Sequence, residues 1–102
     1  MVAFNTRVEL HDATYQDYLN LHSYMAQEGF TNTIRAYDGT SYQLPPAEYN
    51  LVSNCTIAQA LEKAQRAAQK SRKRFAVLVS EYTSSSWVGL EKARSPAPAR
   101  AY

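Results

Sequence analysis

The stretch that decides the fold is VAFNTRVEL, from Val2 to Leu10, which alternates apolar and polar residues. One side of this alternation carries Val2, Phe4, Thr6, Val8 and Leu10, and the opposite side carries Asn5, Arg7 and Glu9. A period of two is typical of a β-strand, because successive side chains of a strand point to opposite faces. We therefore predict a strand with one buried face and one polar face.

A helix is predicted directly after this strand, over about residues 15–28. Thr14-x-x-Asp17 has the spacing of a capping box, in which the side chains of the two residues satisfy backbone donors of the first turn. Leu21 and Met25 mark its apolar stripe. Gly29 suits the position after the helix, because glycine tolerates a positive φ.

The next segments predict two further strands. Ile34 and Ala36 alternate with polar residues in a strand over 30–37, and Asp38-Gly39 is a turn signal. The stretch 40–48 contains Pro45-Pro46 and is predicted as a loop, with room for a short strand at 41–44. A third strand follows over 49–54.

A second helix is predicted over about residues 57–71, starting at the capping box Thr56-x-x-Gln59. Its apolar face is predicted from helical spacing to carry Ile57, Leu61, Ala64 and Ala68. The small residues of this face predict that the helix packs close to the sheet. Phe75–Val79 is a continuous apolar run, which indicates a central strand covered on both faces, and 87–90 is a candidate fifth strand.

The order strand, helix, strand, strand, helix, strand predicts an α+β domain of the ferredoxin-like split βαβ type. Its two helices would pack on one face of a four-stranded antiparallel sheet. The domain is predicted over residues 1–90, and the Pro/Ala-rich residues 91–102 are predicted to be a disordered tail. The predicted core consists of Phe4, Val8, Leu21, Met25, Ile34, Leu51, Leu61, Val77 and Val79.

The composition indicates one soluble globular domain. The chain has 102 residues, of which 45% are apolar and 20% charged. Its net charge of +2 permits contact with nucleic acid without requiring it. A single cysteine cannot form an internal disulfide, and no apolar run approaches the ~18–20 residues of a membrane span. The N-terminus lacks the apolar region of a secretory signal, so we expect a cytoplasmic protein without membrane contact.

Two residues on or near the first helix are candidates for catalysis. Asp12 ends the first strand and is predicted either to cap the helix or to serve as an acid–base or metal-binding carboxylate. His22 lies at the edge of the apolar stripe, where it is either a hydrogen-bonded structural histidine or a general acid or base. The histidines and the cysteine show no metal-ligand spacing, so no metal site is predicted.

Two groups of cations are candidates for binding RNA. Arg7 and Arg35 would share one sheet face, as a solvated charge pair or as a phosphate-binding platform for single-stranded RNA. Lys70, Arg72, Lys73 and Arg74 form a basic cluster at the end of the second helix, where they complement the helix dipole or contact a nucleic-acid backbone. Eight tyrosines exceed the need of one small core, which favours a binding face or a homodimer interface.

A scattered set of positions resembles a known family. The matching positions are Phe4-Asn5-Thr6-x-Val8, Asp12, Leu21-x-Ser23-x-Met25, Phe30-Thr31, Gly39-x-x-x-Gln43-Leu44 and Tyr49-x-Leu51-x-Ser53. This pattern resembles the GhoS family, the antitoxins of type V toxin–antitoxin systems, over about residues 4–65. A family arginine on the first helix corresponds to His22, and a family aromatic on the third strand corresponds to Tyr49.

The resemblance implies a ferredoxin-like, cytoplasmic endoribonuclease that destroys the messenger of a small membrane toxin. In that interpretation His22 is the acid or base of RNA cleavage, and Asp12 orients it or holds Mg²⁺. Tyr49 would stack on or orient a base. The alternative hypothesis is a non-catalytic module of phage or mobile-element origin that binds a protein or a nucleic acid.

Overall fold

The architecture follows from the predicted strand Val2–Leu10, which is the central strand of the main sheet. The computed structural model describes residues 1–93. Its elements are β1 (Val2–Leu10), α1 (Tyr15–Gln27), β2 (Thr33–Arg35), β3 (Ser41–Gln43), β4 (Glu48–Ser53), α2 (Ile57–Lys70) and β5 (Phe75–Tyr82). The protein is therefore a mixed α+β domain, as predicted.

The main sheet has three antiparallel strands in the order β4-β1-β5. Thr6 of β1 is opposite Tyr49 of β4 and Val79 of β5, and this register fixes which residues share a face. The face of β1 that carries Phe4, Thr6 and Val8 is completely buried. The opposite face, which we call the open face, carries Arg7 and Glu9, both exposed.

The structure differs from the predicted four-stranded sheet at β2. β2 pairs with β3 in a separate two-stranded sheet instead of lying along β4. The turn at Asp38-Gly39 offers β2 a partner a few residues away, and such a local pairing closes only a short loop. One contact with the main sheet remains, where Thr31 and Asn50 exchange backbone hydrogen bonds of 2.8 and 2.7 Å.

Both predicted capping boxes are confirmed. The Thr14 hydroxyl accepts from the Asp17 backbone at 3.1 Å, and the Asp17 carboxylate accepts from the Thr14 backbone at 2.9 Å. Thr56 and Gln59 exchange the same pair of bonds at the start of α2. Gly29, at φ +96°, ends α1 as predicted, and Phe30 returns a 3.1 Å hydrogen bond to the Met25 carbonyl.

The core lies between the buried face of the main sheet and the two helices. Leu21 and Met25 of α1 are fully buried in it. From α2 come four completely buried alanines: Ala60, Ala64, Ala67 and Ala68. The prediction that Leu61 is buried is wrong, because the alanine stripe takes the inner face and leaves Leu61 42% exposed. The helix thus approaches the sheet through its smallest side chains.

The prediction that the Phe75–Val79 run forms a central strand is also wrong. β5 lies at the edge of the main sheet, next to β1 alone. Val77 and Val79 pack partly buried against the core, while Leu78 on the open face is 64% exposed. Only one face of this edge strand is therefore packed against the core, although the run is apolar on both faces.

The candidate fifth strand at 87–90 does not form, because Val88 and Gly89 lie in a bend with Gly89 at φ +86°. Glu91 and Ala93, at the beginning of the predicted tail, hydrogen-bond to the backbone of β3 at 2.8 and 2.9 Å. The rest of that predicted tail, residues 94–102, lies outside the described residues. Within residues 1–93, neither helix is long and apolar enough to cross a membrane.

Candidate functional site

A hydrogen-bonded pair of aromatic side chains joins α1 to β4. His22 Nδ1 lies 2.6 Å from the Tyr49 hydroxyl, and the two rings meet edge to face with centroids 5.6 Å apart. Tyr49 is 1% exposed and His22 is half-buried. The buried Tyr49 and Leu51 alternate along β4 with the more accessible Glu48, Asn50 and Val52, so the place of Tyr49 on the buried face follows from the strand period. The structure thus brings together the two residues that the resemblance picked out.

Burial keeps both members of this pair neutral near pH 7. It lowers the pKa of His22 below its ordinary value and raises the pKa of Tyr49 well above that of a free phenol. When the Tyr49 hydroxyl donates to Nδ1, the His22 proton resides on Nε2. In that tautomer His22 offers a hydrogen-bond donor at its second nitrogen and no free basic nitrogen.

The buried ring of Tyr49 corrects one expectation about this residue. A base can stack only on an accessible ring face, and Tyr49 has none in this fold. Its hydrogen bond to His22 is the contact through which Tyr49 can act on the site. Tyr49 orients the imidazole, and RNA does not reach its ring.

Asp12 does not join this pair. It lies in the turn between β1 and α1 with φ +54°, and Thr14 caps the helix in its place. Its carbonyl accepts a 3.2 Å hydrogen bond from Lys73 Nζ, while its carboxylate makes no hydrogen bond to residues 1–93. The structure therefore shows no contact by which Asp12 would orient His22.

Arg7 and Arg35 do not share a sheet face, which corrects the predicted platform. Arg7 lies on the open face and forms ion pairs with Glu9 at 3.0 Å and Glu48 at 3.3 Å. Glu48 is its cross-strand partner in the register. Arg35 belongs to the second sheet and has no ion-pair partner within residues 1–93. The solvated charge pair is thus the correct interpretation of Arg7.

The basic cluster after α2 divides into paired and unpaired cations. Lys73 Nζ lies 3.6 Å from the Asp17 carboxylate, whose pKa is lowered by the hydrogen bond from the Thr14 backbone and by Lys73. Arg72 and Arg74 are exposed and form no ion pair with any of residues 1–93. Arg72 adopts φ +62°, the left-handed conformation that usually carries glycine after a helix.

A groove of about 640 Å³ lies between the C-terminal ends of α1 and α2. We call it the basic groove; its lining residues are Tyr24, Arg66, Gln69, Lys70 and Arg72. Lys70 Nζ lies 5.9 Å from the centroid of the half-buried Tyr24 ring and donates to Gln27 at 3.1 Å. The groove therefore combines an aromatic face with three cations.

One of these cations is neutralised locally. Arg66 binds the Glu28 carboxylate through two hydrogen bonds of 3.0 and 3.3 Å. These contacts with Arg66 lower the pKa of Glu28. Lys70 and Arg72 have no carboxylate partner among residues 1–93, so they keep their charge available for an anion.

Sequence reasoning placed Lys70 and Arg72 in the basic cluster and missed Tyr24. The signal for Tyr24 was its position beside the apolar stripe of α1, one turn before the helix ends. This position indicates a site only once the structure shows that the C-terminal ends of α1 and α2 lie side by side. Residues 1–93 contain no group of three or more histidine, cysteine, aspartate or glutamate side chains that could hold a metal ion.

No protein-family model matches the chain. A search of curated proteins also finds no match.

Proposed function

We propose that this chain is an RNA-directed protein of the GhoS-like type, which binds single-stranded RNA in the cytoplasm through the basic groove. The observation that carries the proposal is the meeting of Tyr24 with Lys70 and Arg72 in one groove. Proteins that hold single strands combine cations for the phosphates with aromatic rings for the bases. A groove with these groups suits a strand whose bases are unpaired.

The distribution of charge favours RNA binding over the alternative that these cations only complement the dipole of α2. Lys70, Arg72 and Arg74 lie at or just after the end of α2 and are free of carboxylates among residues 1–93. Cations at a helix C-terminus gain only a few tenths of a kcal/mol from the dipole. An RNA phosphate offers them a stronger charge-assisted contact.

The topology is compatible with the fold that the resemblance implies. In a ferredoxin-like sheet, β2 would lie beside β4 as the fourth strand. The order β4-β1-β5 and the bridge between Thr31 and Asn50 support this relationship. We interpret β2 as a fourth strand that separates from β4 after Thr31 to pair with β3.

RNA cleavage is the catalytic part of the proposal, and His22 is its candidate acid–base group. In-line attack by a 2′-hydroxyl requires a group that removes the hydroxyl proton, and the leaving oxygen then takes up a proton. A neutral His22 serves as base only when Nε2 is free, with Nδ1 donating to Tyr49. Mg²⁺ could assist through the exposed carboxylate of Asp12, a hard oxygen ligand.

The binding test uses a fluorescent single-stranded RNA, with affinity measured by anisotropy over a range of salt. Three phosphate contacts predict a slope of log K against log salt of about −2, since each contributes about −0.7. Replacing both Lys70 and Arg72, the unpaired cations of the basic groove, by alanine should flatten the slope and weaken binding to all sequences alike. Arg7→Ala is the matched control, because it removes an arginine that is already paired. An equal loss in the control would reject the basic groove as the binding site.

The second candidate function is an interaction module without catalysis. It is favoured by the bond from Tyr49 to His22 and by the absence, within residues 1–93, of any other hydrogen bond to the His22 ring. A cleavage assay with and without Mg²⁺ separates the two candidates. Wild type that cleaves and His22→Ala that binds without cleaving support the nuclease. Wild type that binds RNA but never cleaves it supports the module.

A further inference from the structure

A second groove, unrelated to the helices, lies between the β2–β3 hairpin and the segment that follows β5. It encloses about 680 Å³, within the range of roughly 300–1,000 Å³ that is typical of small-molecule sites. We call it the aromatic groove; its walls include Arg35, Tyr37, Tyr42, Tyr82, Ser85 and Trp87. None of these residues belongs to the main core.

The aromatic walls are held in position by contacts of their own. Tyr42 and Trp87 pack with ring centroids 5.5 Å apart and planes inclined by 59°. The Tyr82 hydroxyl donates to the side-chain oxygen of Asn50 on β4, which anchors this wall to the main sheet. A site whose rings are already fixed loses little conformational entropy when a flat ligand enters.

The hairpin wall is fixed from behind as well. The Gln43 backbone donates to the Glu91 carbonyl at 2.8 Å, and the Ala93 backbone donates to the Ser41 carbonyl at 2.9 Å. Residues 91–93 thus pair with β3 and support the hairpin. Backbone and side-chain hydrogen bonds therefore hold both walls to other parts of the fold.

The rim of the groove carries a cation and a free ring. Arg35 is exposed and has no ion-pair partner within residues 1–93, and Tyr37 near the hairpin turn is fully exposed. Neither side chain contributes to the core, so folding does not explain why a guanidinium and a phenol lie together here. A guanidinium binds phosphate and stacks on planar rings.

We propose that the aromatic groove binds one nucleotide of a single RNA strand, with the base stacked among Tyr42, Tyr37 and Trp87 and the phosphate on Arg35. This inference rests on the proposed RNA-binding function and adds a second contact site to it. A proline-rich peptide also binds between aromatic rings, but it offers no anion to Arg35. The unpaired guanidinium at the rim therefore favours the nucleotide.

The test uses the intrinsic fluorescence of Trp87, which is the only tryptophan of the chain. The ligand is an oligouridylate of about 12 nucleotides, a length within the site sizes of single-strand binders. Stacking of a base should change the Trp87 emission in proportion to RNA binding measured by anisotropy. Tyr42→Ala should weaken binding roughly 5- to 150-fold, since each base–aromatic stack is worth about 1–3 kcal/mol.

Three variants complete the experiment. Tyr42→Phe keeps the ring and should bind like wild type. Arg35→Ala removes an exposed side chain, so it tests the groove even if Tyr42→Ala fails to fold. Tyr15→Ala is the control, because Tyr15 is 80% exposed on α1 and lines neither groove. Far-UV circular dichroism checks that each variant is folded.

The outcomes separate this inference from the proposed function. If RNA binding depends on Lys70 and Arg72 while the Trp87 emission and the affinity of Arg35→Ala stay unchanged, the aromatic groove is rejected and the proposed function stands. If no RNA binds, both are rejected. If a proline-rich peptide changes the Trp87 emission and oligouridylate does not, the groove is a peptide site and the inference is overturned.

Discussion

The Nδ1 atom of His22 and the hydroxyl of Tyr49 lie 2.6 Å apart, so α1 and β4 are joined by a neutral hydrogen bond at the border of the core. The residues are 27 positions apart in the chain. Tyr49 is buried and His22 is half-buried, so the bond has one member in the core and one in contact with solvent. It is both a structural contact and the feature that sets which imidazole nitrogen carries the proton.

Tyr49→Phe should lower the free energy of unfolding by about 0.5–1.5 kcal/mol, because it removes this hydrogen bond and keeps the ring. Urea unfolding measures the effect. Tyr24→Phe is the matched control, since the Tyr24 hydroxyl makes no hydrogen bond to residues 1–93. Equal midpoints for the two variants would contradict a contribution of the bond to stability.

The stability of the wild type should fall as the pH is lowered from about 7 to about 5. Burial lowers the folded-state pKa of His22, so the unfolded chain takes up the proton first. The contribution of neutral His22 to the free energy of unfolding is complete above the pKa of His22 in the unfolded chain. It is lost as the pH falls toward the lower pKa of His22 in the folded protein. Urea midpoints at each pH measure it. His22→Gln should flatten this dependence, and an unchanged dependence in that variant would contradict the assignment to His22.

Leu61→Ala should cost about 1 kcal/mol or less, because the side chain is 42% exposed. Ala64→Leu should cost about 1–3 kcal/mol or more, because the added atoms enter a completely buried position of the core. Thermal denaturation of the two variants ranks them. A larger loss for Leu61→Ala would mean that α2 buries its leucine face.

Arg72→Gly should raise the free energy of unfolding by roughly 0.5–1 kcal/mol, because glycine relieves the left-handed backbone at φ +62°. The same variant should weaken RNA binding, since it removes a cation of the basic groove. Arg72→Ala loses the same charge without the relief and should bind equally weakly with no gain in stability. A loss of stability in Arg72→Gly would contradict the strain argument.

Two copies of the chain should associate along β5. This edge strand of eight residues contains no proline, glycine or lysine, the residues that usually prevent edge pairing. Leu78→Lys, on the exposed side of the strand, should shift the mass measured by light scattering from twice 11.5 kDa toward 11.5 kDa. Tyr15→Lys on α1 should leave the mass unchanged. A monomeric wild type at high concentration would refute the association.

The sequence predicted the local elements well because their signals are local. The alternation of Val2–Leu10 and the spacing of Thr14 with Asp17 depend only on neighbouring residues, and both were confirmed. The position of β5 at the sheet edge was missed. A continuous apolar run such as Phe75–Val79 is typical of a strand buried on both faces, and the run itself does not show which strands lie beside it. The separation of β2 from β4 was missed for the same reason, since strand pairing is decided between distant segments.

The candidate site was predictable only in part. His22 and Tyr49 were identified together through the resemblance, and their contact appears in the structure. The pairing of Arg7 with Glu48 depends on the β1–β4 register, which the sequence does not specify. The aromatic groove was not foreseen, because Tyr42 and Trp87 come together only through the folding of the segment after β5 onto the hairpin.

The central position of β1 also has a consequence for biosynthesis. β1 leaves the ribosome before the other six elements, yet its two partners are β4 and β5, and the sheet cannot close until Tyr82 has been made. Until then Phe4 and Val8 have no sheet in which to be buried. Chains that must wait for such distant pairings fold slowly and expose apolar surface meanwhile. Until β4 and β5 have been made, the nascent chain therefore exposes the apolar residues of β1, the kind of surface that chaperones bind.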